Sequence, residues 1–131
     1  MSLRYRFPRT HRLLRPAEFK TVFDSTAIKV GEQHFLLLTR PNGLDHARLG
    51  LVIAKKKVRL SVDRNQIKRH VRDSFRLNQH ELPAVDMIFM ARQELATVPA
   101  EVLRQALKNA WRRLQRKAAS TPDSGSAQTS P

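Results

Sequence analysis

The chain has no cysteine, which excludes a disulfide framework, a thiolate zinc site and a cysteine nucleophile together. Glycine is scarce, four in 131 residues, and neither a Gly-rich phosphate loop nor a Ser-centred elbow is present. Long apolar runs are also missing. The longest covers residues 49–54, far short of the ~20 residues that cross a bilayer as a helix. The first fifteen residues, MSLRYRFPRTHRLLR, have no hydrophobic segment of the secretory type, so the expected compartment is the cytoplasm. Acidic residues are the last scarcity: 11 stand against 25 Lys and Arg, a net charge of +14. The final fourteen residues, AASTPDSGSAQTSP, carry a single charge at Asp123, which leaves +15 on residues 1–117. With no segment suited to a membrane, a charge of this size favours a polyanionic partner, RNA or DNA.

The charge is concentrated in residues 55–76, KKKVRLSVDRNQIKRHVRDSFR. Nine cations stand there (Lys55, Lys56, Lys57, Arg59, Arg64, Lys68, Arg69, Arg72, Arg76) against Asp63 and Asp73. The spacing predicts a helix over 63–78. At ~100° per residue, Ile67, Val71 and Phe75 form one stripe, while Asn65, Arg69, Arg72 and Arg76 fall about 140–200° away with Lys68 at the edge. Arg64 projects above the apolar stripe, in the first turn. One side can bury and the other presents a cationic ridge with one amide. Arginine's planar fork matches phosphate oxygens and stacks on bases, and Asn65 can hydrogen-bond a base edge or a ribose.

The remaining elements follow from pattern. Residues 1–15 hold five arginines and no acid and read as a basic arm. Pro16 suits a helix start, and Phe19, Val22 and Phe23 give i, i+3, i+4 spacing on a short helix. On spacing alone both rings belong to the core. Strands are expected at 26–30, 34–40, 47–54 (taken as central in the sheet) and 85–91. Thr97 is expected to cap a last helix with Pro99 in its first turn, buried through Val102, Leu103, Ala106, Leu107, Ala110, Trp111 and Leu114. The Ser/Thr/Pro-rich residues 118–131 are expected to be disordered. The order αβββαβα implies an α+β two-layer sandwich, one domain over 16–117, with the helices against one face of the sheet.

Five histidines (His11, His34, His46, His70, His80) are dispersed without paired or metal-ligand spacing, and the acids Asp63, Asp73, Asp86, Glu94 and Glu101 show no metal-binding cluster. Catalytic side chains are therefore not expected in this chain.

The run LGLVIAKKKVRLSVDRNQIKRHVRDSF resembles the protein subunit of bacterial ribonuclease P. That family joins a strand ending in Lys-Lys through a short loop to a helix bearing Arg-Asn-x-x-Lys-Arg-x-x-Arg. Arg64, Asn65, Lys68, Arg69 and Arg72 occupy those positions. RLLRPAEFKTVF, HFLLLTR and VDMIFMARQE also resemble the family's first helix, a strand and the late Asp-hydrophobic strand, so residues 10–117 are covered. Three positions depart from the pattern: Gln66 where a further Arg is common, Arg59 where the loop usually has Gly, and Leu38 where some relatives have Tyr.

The resemblance implies a four-stranded, mostly antiparallel sheet with three helices and a left-handed βαβ crossover around the motif helix. The hand is not what strand-connection rules would suggest. It also implies that an RNA subunit, using bound magnesium, cleaves precursor tRNA to give the mature 5′ end. The protein would bind that RNA through Lys55, Lys56, Lys57, Arg64, Asn65, Lys68, Arg69, Arg72 and Arg76. The single-stranded 5′ leader would lie in a cleft with Phe19, Phe23 and Arg12. Ribonuclease P RNA and precursor tRNA are the implied partners, with no membrane and no obligate protein partner. A ribosomal-type RNA-binding protein and a protein-only nuclease are the alternatives.

Overall fold

A computed structural model describes residues 11–92 and 95–120. The first ten residues of the basic arm, most of the C-terminal tail and Glu94 lie outside the described residues. The elements are α1 (Pro16–Asp24), β1 (Ile28–Gly31), β2 (Phe35–Pro41), β3 (Arg48–Val52), α2 (Ser61–Asn78), β4 (Val85–Ala91) and α3 (Ala100–Ser120). Short 3-10 turns at Gln79–Glu81 and Leu95–Thr97 precede β4 and α3. The predicted order αβββαβα is the observed one. Helix α3 continues to Ser120, past the expected boundary at 117. Thr97 sits in the 3-10 turn, and the carbonyl of Pro99, just outside the helix, accepts the Leu103 N–H at 3.0 Å.

The sheet order is β1-β2-β4-β3. β2 pairs antiparallel with both β1 and β4, whereas β3 runs parallel to β4. The parallel pair requires α2 as its crossover. β3 is thus an edge strand and not the central one. Its apolar run reflects burial on both faces, and β2 and β4 share the centre. The outer side of β3 is partly covered by the arm: Arg12 bridges to Leu49, and the Leu13 N–H donates to the Leu49 carbonyl at 3.0 Å.

Alternation along the strands sorts the core into two clusters. Phe35, Leu37, Met87, Phe89 and Leu49 point to the side covered by α2 and α3, where they meet Ile67, Val71, Phe75, Leu103, Leu107 and Trp111. The Phe35 and Phe89 rings lie 4.8 Å apart, and Phe75 meets Trp111 edge-on at 6.3 Å. Trp111 Nε1 donates to the buried Ser74 hydroxyl at 2.8 Å, so this polar pair enters the core satisfied. Leu38 and Ile88 point the other way and bury against Val22 of α1 and Leu13. Helix α1 therefore covers the face opposite α2 and α3, contrary to the expectation of one helical face. The near-continuous apolar character of HFLLLTR and VDMIFMA has its cause here, since strands covered on both faces lose polar alternation.

One charged cluster fixes α1 to that face. Arg48 on β3 donates Nε to Asp86 Oδ1 at 2.7 Å and Nη2 to Oδ2 at 2.6 Å, while its Nη1 reaches Glu18 Oε2 at 3.1 Å. Glu18 also accepts the Leu14 and Arg15 N–H groups at 2.8 and 3.0 Å, closing the first turn of α1. Those amides, the Arg15 one foremost, together with Arg48, hold the Glu18 carboxyl below the usual range against the opposing cost of burial. Asn42 Nδ2 adds a 3.0 Å bond to Asp86.

Asp86 is 8 % exposed, so Arg48→Ala should leave a nearly buried carboxylate with little compensation. The expected loss is about 2–3 kcal/mol, somewhat below that of a fully dry pair because Arg48 keeps some solvent contact. Urea unfolding of the two proteins checks this; a change within about 0.5 kcal/mol, typical of surface sites, would contradict it.

Candidate nucleic-acid interface

Helix α2 starts at Ser61, one turn of apolar and polar residues away from the Lys-Lys-Lys run. Ile67, Val71, Ser74 and Phe75 are its buried residues, so the opposite side is fixed outward. Asn65, Arg69 and Arg72 are exposed there, and none of them makes a hydrogen bond or ion pair with another described residue. Lys68 is half-buried. Arg76 lies 3.6 Å from Asp73 in an i, i+3 ion pair.

Arg64 takes a different part. Its Nη1 donates to the carbonyls of Val58 and Arg59 at 3.0 and 2.9 Å. Val58 is fully buried and the Lys57 and Val58 N–H groups close a turn onto Ala54. Arg64 thereby clamps the connection between β3 and α2, and holds Lys55 and Lys56 exposed beside the helix start. The resemblance implies an RNA contact for Arg64; here its Nη1 lies on the loop carbonyls, in the first turn above the apolar stripe.

On the α1 side lies a shallow groove of about 190 Å³, lined by Arg12, Leu13, Phe19, Leu49, Gly50, Lys68 and Arg72 among others. Three separate stretches of sequence meet there: the arm and first helix, the edge strand, and the cationic ridge. Phe19 is half-buried against the Leu13–Val22–Leu38–Ile88 cluster. Its ring rests on Gly50, where a Cβ would lie 2.6 Å from Phe19 Cε2 and 3.1 Å from Leu13 Cβ. Only glycine admits this close approach. Phe23, one turn on, is 43 % exposed and so is not a core residue; Val22 takes the buried position instead. Gly50 carries no chemical signal in sequence; a lone glycine within the apolar run ARLGLVIA was the available hint.

Two histidines dispersed in sequence meet in space. The His11 and His46 rings stack at 4.1 Å, and His46 Nδ1 is 2.7 Å from Asp45 Oδ1. Burial, reinforced by His46, lowers the His11 pKa against the opposing pull of Asp45. Its protonation on acidification therefore works against the contact. Among the described residues no group of three or more His, Asp or Glu side chains could hold a metal ion, and no helix is long and apolar enough to cross a membrane.

A family model described as Ribonuclease P matches residues 7–115. The chain belongs to the ribonuclease P protein family. It is 52% identical over 110 residues to the ribonuclease P protein component of Azotobacter vinelandii, covering 84% of this chain and 85% of that one. It is 45% identical over 118 residues to the component from Marinobacter nauticus, covering 89% of each. Among solved family structures, the RNase P protein of Staphylococcus aureus superposes with a TM-score of 0.72 at 28% identity, covering 84% of this chain and 95% of that one. That of Thermotoga maritima gives 0.70 at 31% identity, covering 78% and 96%. The segment from Arg64 to Arg72 that carries the resemblance lies on α2, and Gln66 is exposed beside the ridge and adds no charge to it.

Gly50→Ala should force the Phe19 ring off the edge strand. The expected cost is about 1–3 kcal/mol, the range for overpacking a tight site, with displaced Phe19 ring resonances in NMR spectra. Unchanged stability and ring shifts would contradict the contact.

Proposed function

We propose that this chain is the protein component of a ribonuclease P ribonucleoprotein, partnering a catalytic RNA in removing the 5′ leader of precursor tRNA. Family membership supports the coarse assignment. The finer one is supported above all by a single observation: Lys68 and Arg72, on the ridge of α2, line the same groove as Phe19 and Gly50. In this proposal Lys55, Lys56, Asn65, Arg69 and Arg72 contact phosphates and riboses of the catalytic RNA, and Arg64 holds their loop in place. Lys57 and Arg76 flank that set. The groove takes the leader.

The chemistry suits those two roles. Backbone phosphates are met by arginines free to form charge-assisted hydrogen bonds. A single strand is met by a cationic wall and an aromatic floor, which accept any base through its π-face. Arg12 and Lys68 bracket that floor, whereas Phe23, one turn on along α1, is exposed and lies outside the lining of the groove. Only the precursor has a leader to place there, so the protein favours substrate over product without contributing a catalytic group. In this proposal the magnesium implied by the family is held mainly by the RNA. No step here runs through a metal on the protein.

The deciding experiment is cleavage of a precursor tRNA by a bacterial ribonuclease P RNA at low magnesium, with and without the protein. Protein-dependent cleavage at the mature 5′ end is expected. Tight RNA binding without stimulation would leave a structural RNA-binding protein, and cleavage by the protein alone would make it a nuclease in its own right.

Arg69 stands in the middle of the ridge and makes no hydrogen bond or ion pair with another described residue. Arg69→Ala should weaken binding to the catalytic RNA and reduce the slope of log K against log salt by about one unit. An unchanged slope would remove Arg69 from the phosphate contacts.

A further inference from the structure

Helix α3 carries a second row of cations that the sequence motif does not include. Its buried stripe is Leu103, Leu107, Ala110, Trp111 and Leu114. Cations on its two flanks are used differently. On one flank, Arg113 Nη1 is 2.7 Å from both the Gly31 carbonyl and Glu32 Oε2, and Lys117 Nζ is 2.6 Å from the Lys29 carbonyl. These two tie α3 to β1. On the other flank, Arg104, Lys108, Arg112 and Arg116 follow one another at i, i+4 and are all exposed. None of the four makes a hydrogen bond or ion pair with another described residue.

Like charges at i, i+4 destabilise a helix, and a row of four places three such pairs in succession. At 1.5 Å per residue the row is about 18 Å long. Two acids lie near it, Glu101 one turn before Arg104 and Glu81 across from Lys108 and Arg112, too few to neutralise it. Lys108, Arg112 and Gln115 share a groove of about 170 Å³ with Asn78 and Glu81, walled by Trp111. Trp111 is 2 % exposed, so this groove presents two cations, two amides and the Glu81 carboxylate but no ring on which a base could stack.

The row is separate from the ridge on α2. Lys68 and Arg72 line the groove toward Leu13 and Phe19, whereas Gln66, Ile67 and His70 line the cleft toward Ala100 and Leu103 of α3. Helix α2 therefore stands between the two basic surfaces.

We propose that Arg104, Lys108, Arg112 and Arg116 form a second RNA-binding surface, which takes the phosphate backbone of a double-helical RNA segment distinct from the one held by α2. The absence of an exposed ring disfavours a single strand, which is held by stacking. Helical RNA is recognised by its backbone and 2′-hydroxyls, which suits cations flanked by amides. With one surface on each side of α2, the protein can bridge two RNA segments. The proposal does not depend on the leader groove or on the role of Arg69.

The test is a titration of a fully paired RNA hairpin with the full-length protein over a range of salt. Four proteins are compared: wild type, Arg69→Gln/Arg72→Gln, the fourfold Gln variant at 104, 108, 112 and 116, and the combined variant. All changed sites are exposed and Gln keeps helix propensity; circular dichroism verifies equal helicity. The wild type should bind two hairpins per chain, and the fourfold variant should lose one of them, a site with a salt slope of about 3–4 units at roughly 0.9 per phosphate, which the Arg69/Arg72 variant keeps. Two hairpins of unchanged slope on the fourfold variant would overturn the proposal, whatever the Arg69/Arg72 variant does. One hairpin per wild-type chain, with both variants lowering the same slope, would also overturn it, by making the two rows one surface. Mixed phosphatidylserine–phosphatidylcholine vesicles form a parallel arm. Vesicle binding that needs the four residues, with hairpin binding unaffected, would assign the row to a membrane surface and reject RNA.

Discussion

A missing Cβ decides how this molecule is put together at its working edge. Gly50 lets the Phe19 ring rest on the backbone of β3, and with it helix α1 comes close enough to form one wall of a groove whose other wall is α2. A Cβ at 50 would meet the tip of the Phe19 ring and force that ring to shift. The charged cluster of Arg48, Asp86 and Glu18 fixes the same helix from the other side, so its position is set by steric fit and by directed hydrogen bonds together. The groove is a consequence of that docking, and its cationic side is supplied by a helix that packs on the opposite face of the sheet.

The scarcity of acids acquires a structural meaning. Glu18, Glu32 and Asp86 are committed to Arg48, Arg113 and the start of α1, where they join elements to one another. Asp24 pairs with Lys20 one helical turn back, and Asp45 and Glu81 engage the histidines next to them in sequence. Few are left to neutralise the outward cations of α2 and α3. A net charge of +14 repels itself in the isolated chain, and an RNA partner relieves that repulsion as the cations of the protein displace the counterions from its phosphates. Folding and binding thus divide the charges between them.

Local pattern carried much of the fold. The strand at 85–91 lies where its β-branched and aromatic run predicted, and α2 begins two residues before its expected start. What the pattern could not carry was pairing. An apolar run such as ARLGLVIA reports burial on both faces, which a central strand has and which β3 obtains at the edge through α1 and the arm. The placement of α1 opposite the other helices was legible only in the missing polar alternation of β2 and β4. For the site, the ridge of Asn65, Arg69 and Arg72 was visible in the 3.6-residue period. The inward turn of Arg64, the stacking of His11 on His46 and the contact of Phe19 with Gly50 join residues distant in sequence or depend on one side-chain rotation, and periodicity is silent on both. Phe19 and Phe23 have the same spacing signal yet differ in burial, because one faces the edge strand and the other faces solvent.

In the proposed function the groove beside Phe19 distinguishes a leader-bearing RNA from a mature one. That role is tested most directly by the ratio of affinities for precursor and mature tRNA, measured on the assembled ribonucleoprotein with wild-type protein, Phe19→Ala and the exposed-site companion Phe23→Ala. With stacking worth about 1–3 kcal/mol per base, the preference for the precursor should fall about tenfold in Phe19→Ala and by less in Phe23→Ala, with affinity for mature tRNA unchanged. A precursor preference equal to wild type in both variants, with the complex still assembled, would contradict it.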